Sequence, residues 1–321
     1  MNVNNKKFRG IFVTADDPSF LEQRVEPSRE LLNLESLNIA EIRAQHIARQ
    51  KNFDTAPFDP SGRVLRFFPG GYTVWSGFPG AGKTTLLRQL ACHLMQQGKS
   101  VAVASLEEYP VDVFYRHAVV ALGNEQPSQA GLEWCVHHWS EKLRLWSTED
   151  LPAPNARLLA ALRVLASQGV RHAVVDSLMC LDIGSVDWEG QRQFANALLR
   201  SVRSAGMHVH LVAHPKKPAA GGADPDLNDV GGSADIGRLA DNIVFVRRSK
   251  TETSEANGLT PMKIAILKQR HGTGALGEVT GWFNRARKQF QVEQFEESRS
   301  MYLPAQAYRD DAATGTNGAL L

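Results

Sequence analysis

The sequence predicts an α/β fold, a mostly parallel twisted sheet flanked by helices, with a short N-terminal helical extension. Short apolar runs recur from Arg63 onward, and several are almost continuously apolar, as strands buried on both sheet faces must be. Segments with apolar residues at helical spacing stand between these runs. That alternation implies parallel strands joined by right-handed crossovers.

The first residues, to about position 60, are polar and carry few strand signals. Within them Leu37, Ile39, Ala40, Ile42, Ala44, Ile47 and Ala48 recur near helical spacing, bounded later by Pro57 and Pro60. Such a helix buries a face on its own domain or on a neighbouring subunit, because periodicity reports a buried face and not its partner. Strands are expected at 71–76, 100–105, 172–176, 207–213, 242–246 and 262–267, and helices at 83–97, 155–168 and 189–205. The expected plan is an extension over 1–60, a main domain over 61–295 and a flexible tail over 296–321.

Bulk properties exclude some classes. Apolar residues make up 43% and charged residues 22%, ordinary for a soluble globular protein. A net charge of +2 neither demands nor excludes nucleic acid, since a local basic patch can bind phosphates without dominating the total. Cys92, Cys135 and Cys180 stand far apart with no CxxC pair, which argues against a disulfide framework or a structural zinc site. The opening MNVNNKKFRG lacks a signal-peptide core, and no apolar run reaches the roughly 20 residues that span a bilayer. A cytoplasmic protein with no membrane partner is expected.

The segment Gly77-Phe78-Pro79-Gly80-Ala81-Gly82-Lys83-Thr84, followed by Thr85, satisfies G-x-x-x-x-G-K-[ST]. Its glycines let successive N–H groups converge on phosphate oxygens, and the helix that follows adds its positive end. Lys83 would reach the β- and γ-phosphates of ATP, and the Thr84 hydroxyl would ligate Mg²⁺. The context fits, with YTVW before the loop and Leu86, Leu87, Leu90, Leu94 and Met95 in a helical stripe after it. HAVVDSL ends a strand in Asp176, suited to hold Mg²⁺ through its water shell. Glu107 and Glu108 follow the strand VAVAS, and one of them would orient or deprotonate the attacking water. His214 closes HVHLVAH at a ligand-binding edge, where it could bond the γ-phosphate; His208 and His210 are read as packing residues.

These pieces, in this order, resemble the RecA-like P-loop NTPase domain of the hexameric replicative DNA helicases, the group of DnaB, phage primase-helicases and Twinkle. The resemblance runs from about Arg63 to Val292. GFPGAGKTT looks like the family's Walker A, SLEE like its catalytic-glutamate motif, VVDSL like Walker B and LVAHPKKP like its sensor. DVGGSADIGRLADNIVFVRR and ILKQRHGTG look like the DNA-loop and finger motifs.

The resemblance favours Glu107 over Glu108 as the catalytic carboxylate. It implies that Lys268 and Arg270 reach the γ-phosphate in a neighbouring subunit, so that a homo-oligomeric ring, expected to be hexameric, is the active form. Single-stranded DNA would meet Lys216, Lys217 and the backbone around Gly231, Gly232 and Ser233. Gly231 stands where the DnaB-type loop has an Arg, closer to the Twinkle version. The implied activity is ATP-dependent unwinding, 5′ to 3′, with a primase, polymerase or loader as further partners. The extension is too short for a primase domain or a helical collar, which points to a stand-alone phage or plasmid type. Two other classes fit the P-loop alone: a regulatory or recombination ATPase, and an accessory ATP-binding module.

Overall fold

Successive residues of a strand face opposite sides of a sheet, and this sequence supplies apolar side chains to both sides. In β4 (Tyr72–Ser76), Val74 packs into one core and Trp75 into the other. The computed structural model describes residues 12–14, 38–147, 155–181, 183–184, 186–215, 226–248, 258–271 and 276–292.

Along the chain the first elements are β1 (Phe12–Thr14), α1 (Ile39–Lys51), β2 (Asp54–Thr55) and β3 (Arg66–Phe67). After β4 come α2 (Lys83–Gln96), β5 (Val101–Ser105), α3 (Pro110–Leu122), α4 (Gln129–Trp139), β6 (Leu143–Ser147) and α5 (Asn155–Ser167). Then follow β7 (His172–Asp176), α6 (Trp188–Ala205), β8 (His208–Val212), α7 (Ala234–Leu239) and β9 (Asn242–Arg248). The chain closes with β10 (Leu259–Gln269), β11 (Gly277–Asn284) and β12 (Gln289–Gln291).

Among the described residues the main sheet has the order β1-β6-β5-β7-β8-β4-β9-β10-β11-β12. From β1 to β9 every neighbour pair is parallel, and β9 to β12 run antiparallel. On one face Leu86, Leu90 and Leu94 of α2 cover Trp75, Val103, Val174, Val212 and Val244. On the other, Leu158 and Leu162 of α5 and Phe194 and Leu198 of α6 cover Val74, Val175, Leu211 and Ile243. None of the described helices is long and apolar enough to cross a membrane.

Every expected strand is present, with ends moved by a few residues. The helices α3 and α4 and the strands β6, β11 and β12 lie outside the expectation. In α3, PVDVFYRHAVVAL, nine residues from Pro110 to Leu122 are buried, and two of the four exposed positions are the apolar Val111 and Tyr115, which blurs the polar face that Asp112 and Arg116 would mark. Ala56 and Phe58 are buried in the same core as Trp75 and Leu90.

Helix α1 forms, capped by Asn38 Oδ1, which accepts from Ala40 N at 3.0 Å and Glu41 N at 3.4 Å. Among the described residues it buries none of its own side chains, and Ile39 is 80% exposed.

At the amino edge of the parallel strands, three buried imidazoles tie the 54–67 segment to the sheet. His172 Nε2 lies 3.0 Å from Asp54 Oδ2, and its Nδ1 lies 3.1 Å from His210 Nε2. His208 bonds Thr73 Oγ1 and the Phe68 carbonyl, each at 2.8 Å, while Trp75 Nε1 donates to His210 Nδ1 at 3.2 Å. Burial holds all three histidines below their ordinary pKa, as expected for neutral packing residues with partners.

Candidate nucleotide site at the carboxyl edge

Strand β4 ends at Ser76, and the chain turns at once through Gly77 into α2. A Cβ on Gly77 would run into the Val246 carbonyl of β9, so only glycine lets the loop leave the sheet this close to its neighbour. Helix α2 starts after Gly82 with no side-chain cap, leaving its first amides for an anion. Lys83 Nζ folds back on the loop, donating to the Gly77 carbonyl at 2.6 Å and the Phe78 carbonyl at 3.2 Å. Burial pushes its pKa down, against the pull of Asp176 and Glu107.

The end of β7 brings Asp176 to the same place. Thr84 Oγ1 donates to Asp176 Oδ2 at 2.7 Å, so the two oxygens expected around Mg²⁺ already touch. Burial is the main cause that raises the Asp176 pKa, and the nearby Glu107 adds to it. A hydroxyl and a partly desolvated carboxylate suit Mg²⁺, which takes few protein ligands and keeps waters and phosphate oxygens.

The two glutamates part company. Glu108 pairs with buried Arg88 of α2 and, at 2.8 Å, with Arg116 of α3. Glu107 turns the other way, and its Oε1 accepts from Ser177 Oγ at 3.1 Å and Cys180 Sγ at 3.4 Å, next to Asp176. Glu107 is close enough for its charge to act on both Lys83 and Asp176, while Glu108 borders a small cavity with Thr84 and Asp176.

His214 lies two residues past β8, between the strands that carry the phosphate loop and Asp176. It shares a cleft with Leu178, Met179, Gln191, Gly231 and Gly232. Pro215 forms a bridge with Val230, and a Cβ on Gly231 would strike the His214 carbonyl. An arginine cannot stand at 231 in this conformation. Ser233 is buried and its N–H already donates to Gln191 Oε1 at 2.6 Å, so the expected phosphate contact there has a competitor. Lys216 and Lys217 lie outside the described residues.

Lys268 and Arg270 stand elsewhere. Lys268 pairs with Ile243 and Gln269 with Asn242, at the first residues of β9, and Asn242 pairs in turn with Thr73 near the start of β4. The phosphate loop leaves from the opposite end of β4. Lys268 Nζ donates to the Gly237 and Arg238 carbonyls at 2.9 and 2.7 Å, and Arg270 Nη2 to Arg238 O at 2.7 Å. Buried Asp241 lies 3.8 Å from Arg270 Nη1 and accepts from Tyr72 N at 3.0 Å.

Sequence reading misses Arg88, Ser177, Cys180, Gln191 and Asp241. Their partners are far away in sequence, and no local pattern marks them.

Residues 42–220 match the AAA domain family AAA_25. The chain is 25% identical over 241 residues to the chloroplastic/mitochondrial Twinkle homolog protein of Arabidopsis thaliana, covering 68% of this chain and 33% of that protein. It thus spans about one third of that relative's length. The fold is similar to that of a solved ATPase domain, with a TM-score of 0.66 at 17% identity, covering 78% of this chain and 96% of that one. A DnaB-like replicative helicase, described with its interactions with primase, gives the same TM-score and identity over 82% of this chain and 67% of its own. The fold is RecA-like.

Proposed function

The chain belongs to the AAA domain family AAA_25, and from that premise we propose that it is an ATP-hydrolysing DNA helicase. It works as a hexameric ring on single-stranded DNA, moving 5′ to 3′. ATP lies along Gly77, Gly80, Ala81, Gly82, Lys83, Thr84 and Thr85. Lys83 gives up the Gly77 and Phe78 carbonyls for the β- and γ-phosphates. Thr84 and Asp176 would hold Mg²⁺, which when bound would neutralise charge on the phosphates. Glu107 orients the attacking water and takes its proton. His214 bonds the γ-phosphate and passes its loss to the 230–233 segment beside it.

The observation that carries this reading is that Lys268 and Arg270 stand level with the amino end of β4, while Lys83 follows its carboxyl end. In this arrangement neither cation reaches the phosphate loop of its own subunit, which supports a finger acting in a neighbour's site. There it would stabilise charge on the transferring phosphoryl group. The exposed α1 supports a ring as well, since a helix with apolar residues and none of them buried among the described residues has a face to offer the next subunit. Primase is the first protein partner to test, given the fold relative described with it.

Unwinding of a forked duplex tests the whole reading, alongside ATP hydrolysis with and without single-stranded DNA. Strong stimulation by DNA, a ring by native mass and loss of activity in Arg270→Ala are expected. Hydrolysis that ignores DNA and is unchanged by Arg270→Ala would instead indicate a regulatory or recombination ATPase, or an accessory ATP-binding module.

A further inference from the structure

The loop between β5 and α3 carries Glu107 beyond the last paired residue of its strand. The ladder holds Ser105 opposite Asp176, and one further bond, Leu106 N to Asp176 O at 2.7 Å, closes it. Past that bond the Glu107 backbone has no strand partner, and the residue is exposed. A glutamate side chain there would sample many rotamers, and a base that wanders is a poor base.

Two donors prevent it. Ser177 is fully buried, and its Oγ donates to Glu107 Oε1 at 3.1 Å. Cys180, at the end of the turn Leu178–Cys180, directs its Sγ to the same oxygen at 3.4 Å. Both acceptor positions of Oε1 are thereby used, and Oε2 is left for water. The thiol stays a donor because burial raises its pKa, with the Glu107 carboxylate adding to the effect.

We propose that Ser177 and Cys180 are positioning residues for Glu107, clamping one carboxylate oxygen so that the other faces the attacking water. This rests on Glu107 being the base. Neither residue need touch nucleotide, so they should govern turnover and leave binding alone. The same turn also packs beside the 230–233 segment: a Cβ on Gly232 would lie 3.3 Å from Leu178 Cδ2.

The test is steady-state ATP hydrolysis by the full chain with saturating single-stranded DNA, together with the affinity for a fluorescent ATP analogue. Ser177→Ala should lower kcat by about 10- to 100-fold, the loss typical of a partner that orients a functional group, with KM within about twofold. Cys180→Ala should lower kcat by a smaller factor, and Cys180→Ser, which keeps a donor, should restore it. A melting curve and retained analogue binding show that each variant is folded. Because Cys180 is partly exposed, its two variants remain informative even if Ser177→Ala fails to fold. Unchanged kcat in Cys180→Ala and Ser177→Ala, with Glu107→Gln inactive, overturns the clamp and leaves the base assignment standing. If Glu107→Gln keeps full activity, the base assignment itself falls and takes the clamp with it.

Discussion

Thr84 Oγ1 donates to Asp176 Oδ2 at 2.7 Å, joining the first turn of α2 to the end of β7 across two strand connections. The contact unites two motifs that lie 92 residues apart. Asp176→Asn should lower hydrolysis by at least about 100-fold while leaving Mg²⁺-free nucleotide binding nearly intact. It should also raise the melting temperature. The folded pKa of Asp176 is raised, so the wild-type carboxylate loses stability as pH rises through its ordinary range, and the amide does not. Melting at pH 8, where the wild-type carboxylate is ionised, should show the gain.

Lys268 has its pKa lowered to about 8, chiefly by burial and then by Arg270. Its charge is present below that value and lost above it, so a finger role predicts falling ATPase activity as pH passes about 8. Lys268→Arg should flatten this limb, because arginine stays charged. Profiles of equal shape in the two proteins would remove Lys268 from the finger.

Gly231 faces the His214 carbonyl with no room for a Cβ. Gly231→Ala should therefore cost about 1–3 kcal/mol, as overpacking does, and open the Pro215–Val230 bridge. Faster hydrogen exchange confined to 230–233 would report it, and unchanged exchange would mean the backbone yields at no cost.

The imidazoles of His172, His208 and His210 are held neutral by burial, His208 down to about 3. Unfolding frees them to take protons below their ordinary pKa, near 6.5. Stability is thus complete above about 6.5 and declines as pH falls, by up to about 1.4 kcal/mol per pH unit for each histidine. Asp54, lowered to about 2 mainly by His172 and Lys99 acting against its burial, continues the loss below its ordinary value of 3.8. Urea midpoints at pH 5 and 7 should differ accordingly, and His210→Gln should reduce the difference.

Ile42 and Ile47 are 44% and 43% exposed on α1. If the helix docks on a neighbour, Ile42→Glu with Ile47→Glu should dissociate the assembly by native mass. The monomer's melting temperature should stay within about 1 °C, since neither side chain is in its core.

The phosphate loop and Asp176 are legible in the sequence because each is a local device. A strand, a glycine turn and a helix start are set by consecutive residues, and the apolar runs that flank them announce a buried sheet. What each of Glu107 and Glu108 bonds to has no local answer. It is set by Arg88 and Arg116, which draw one carboxylate into an ion pair, and by Ser177 and Cys180, which hold the other toward Asp176.

The same holds for the rest of the candidate site. ILKQR reads as a strand end, but only the antiparallel pairing of β10 with β9 puts Lys268 and Arg270 at the far edge from Lys83. VGGS reads as a flexible turn, yet the return of Pro215 beside Val230 leaves no space at Gly231 and gives the Ser233 N–H to Gln191. A local motif fixes where backbone amides point. The direction of a side chain at a strand end follows from charges and carbonyls brought there by distant segments, and folding supplies those.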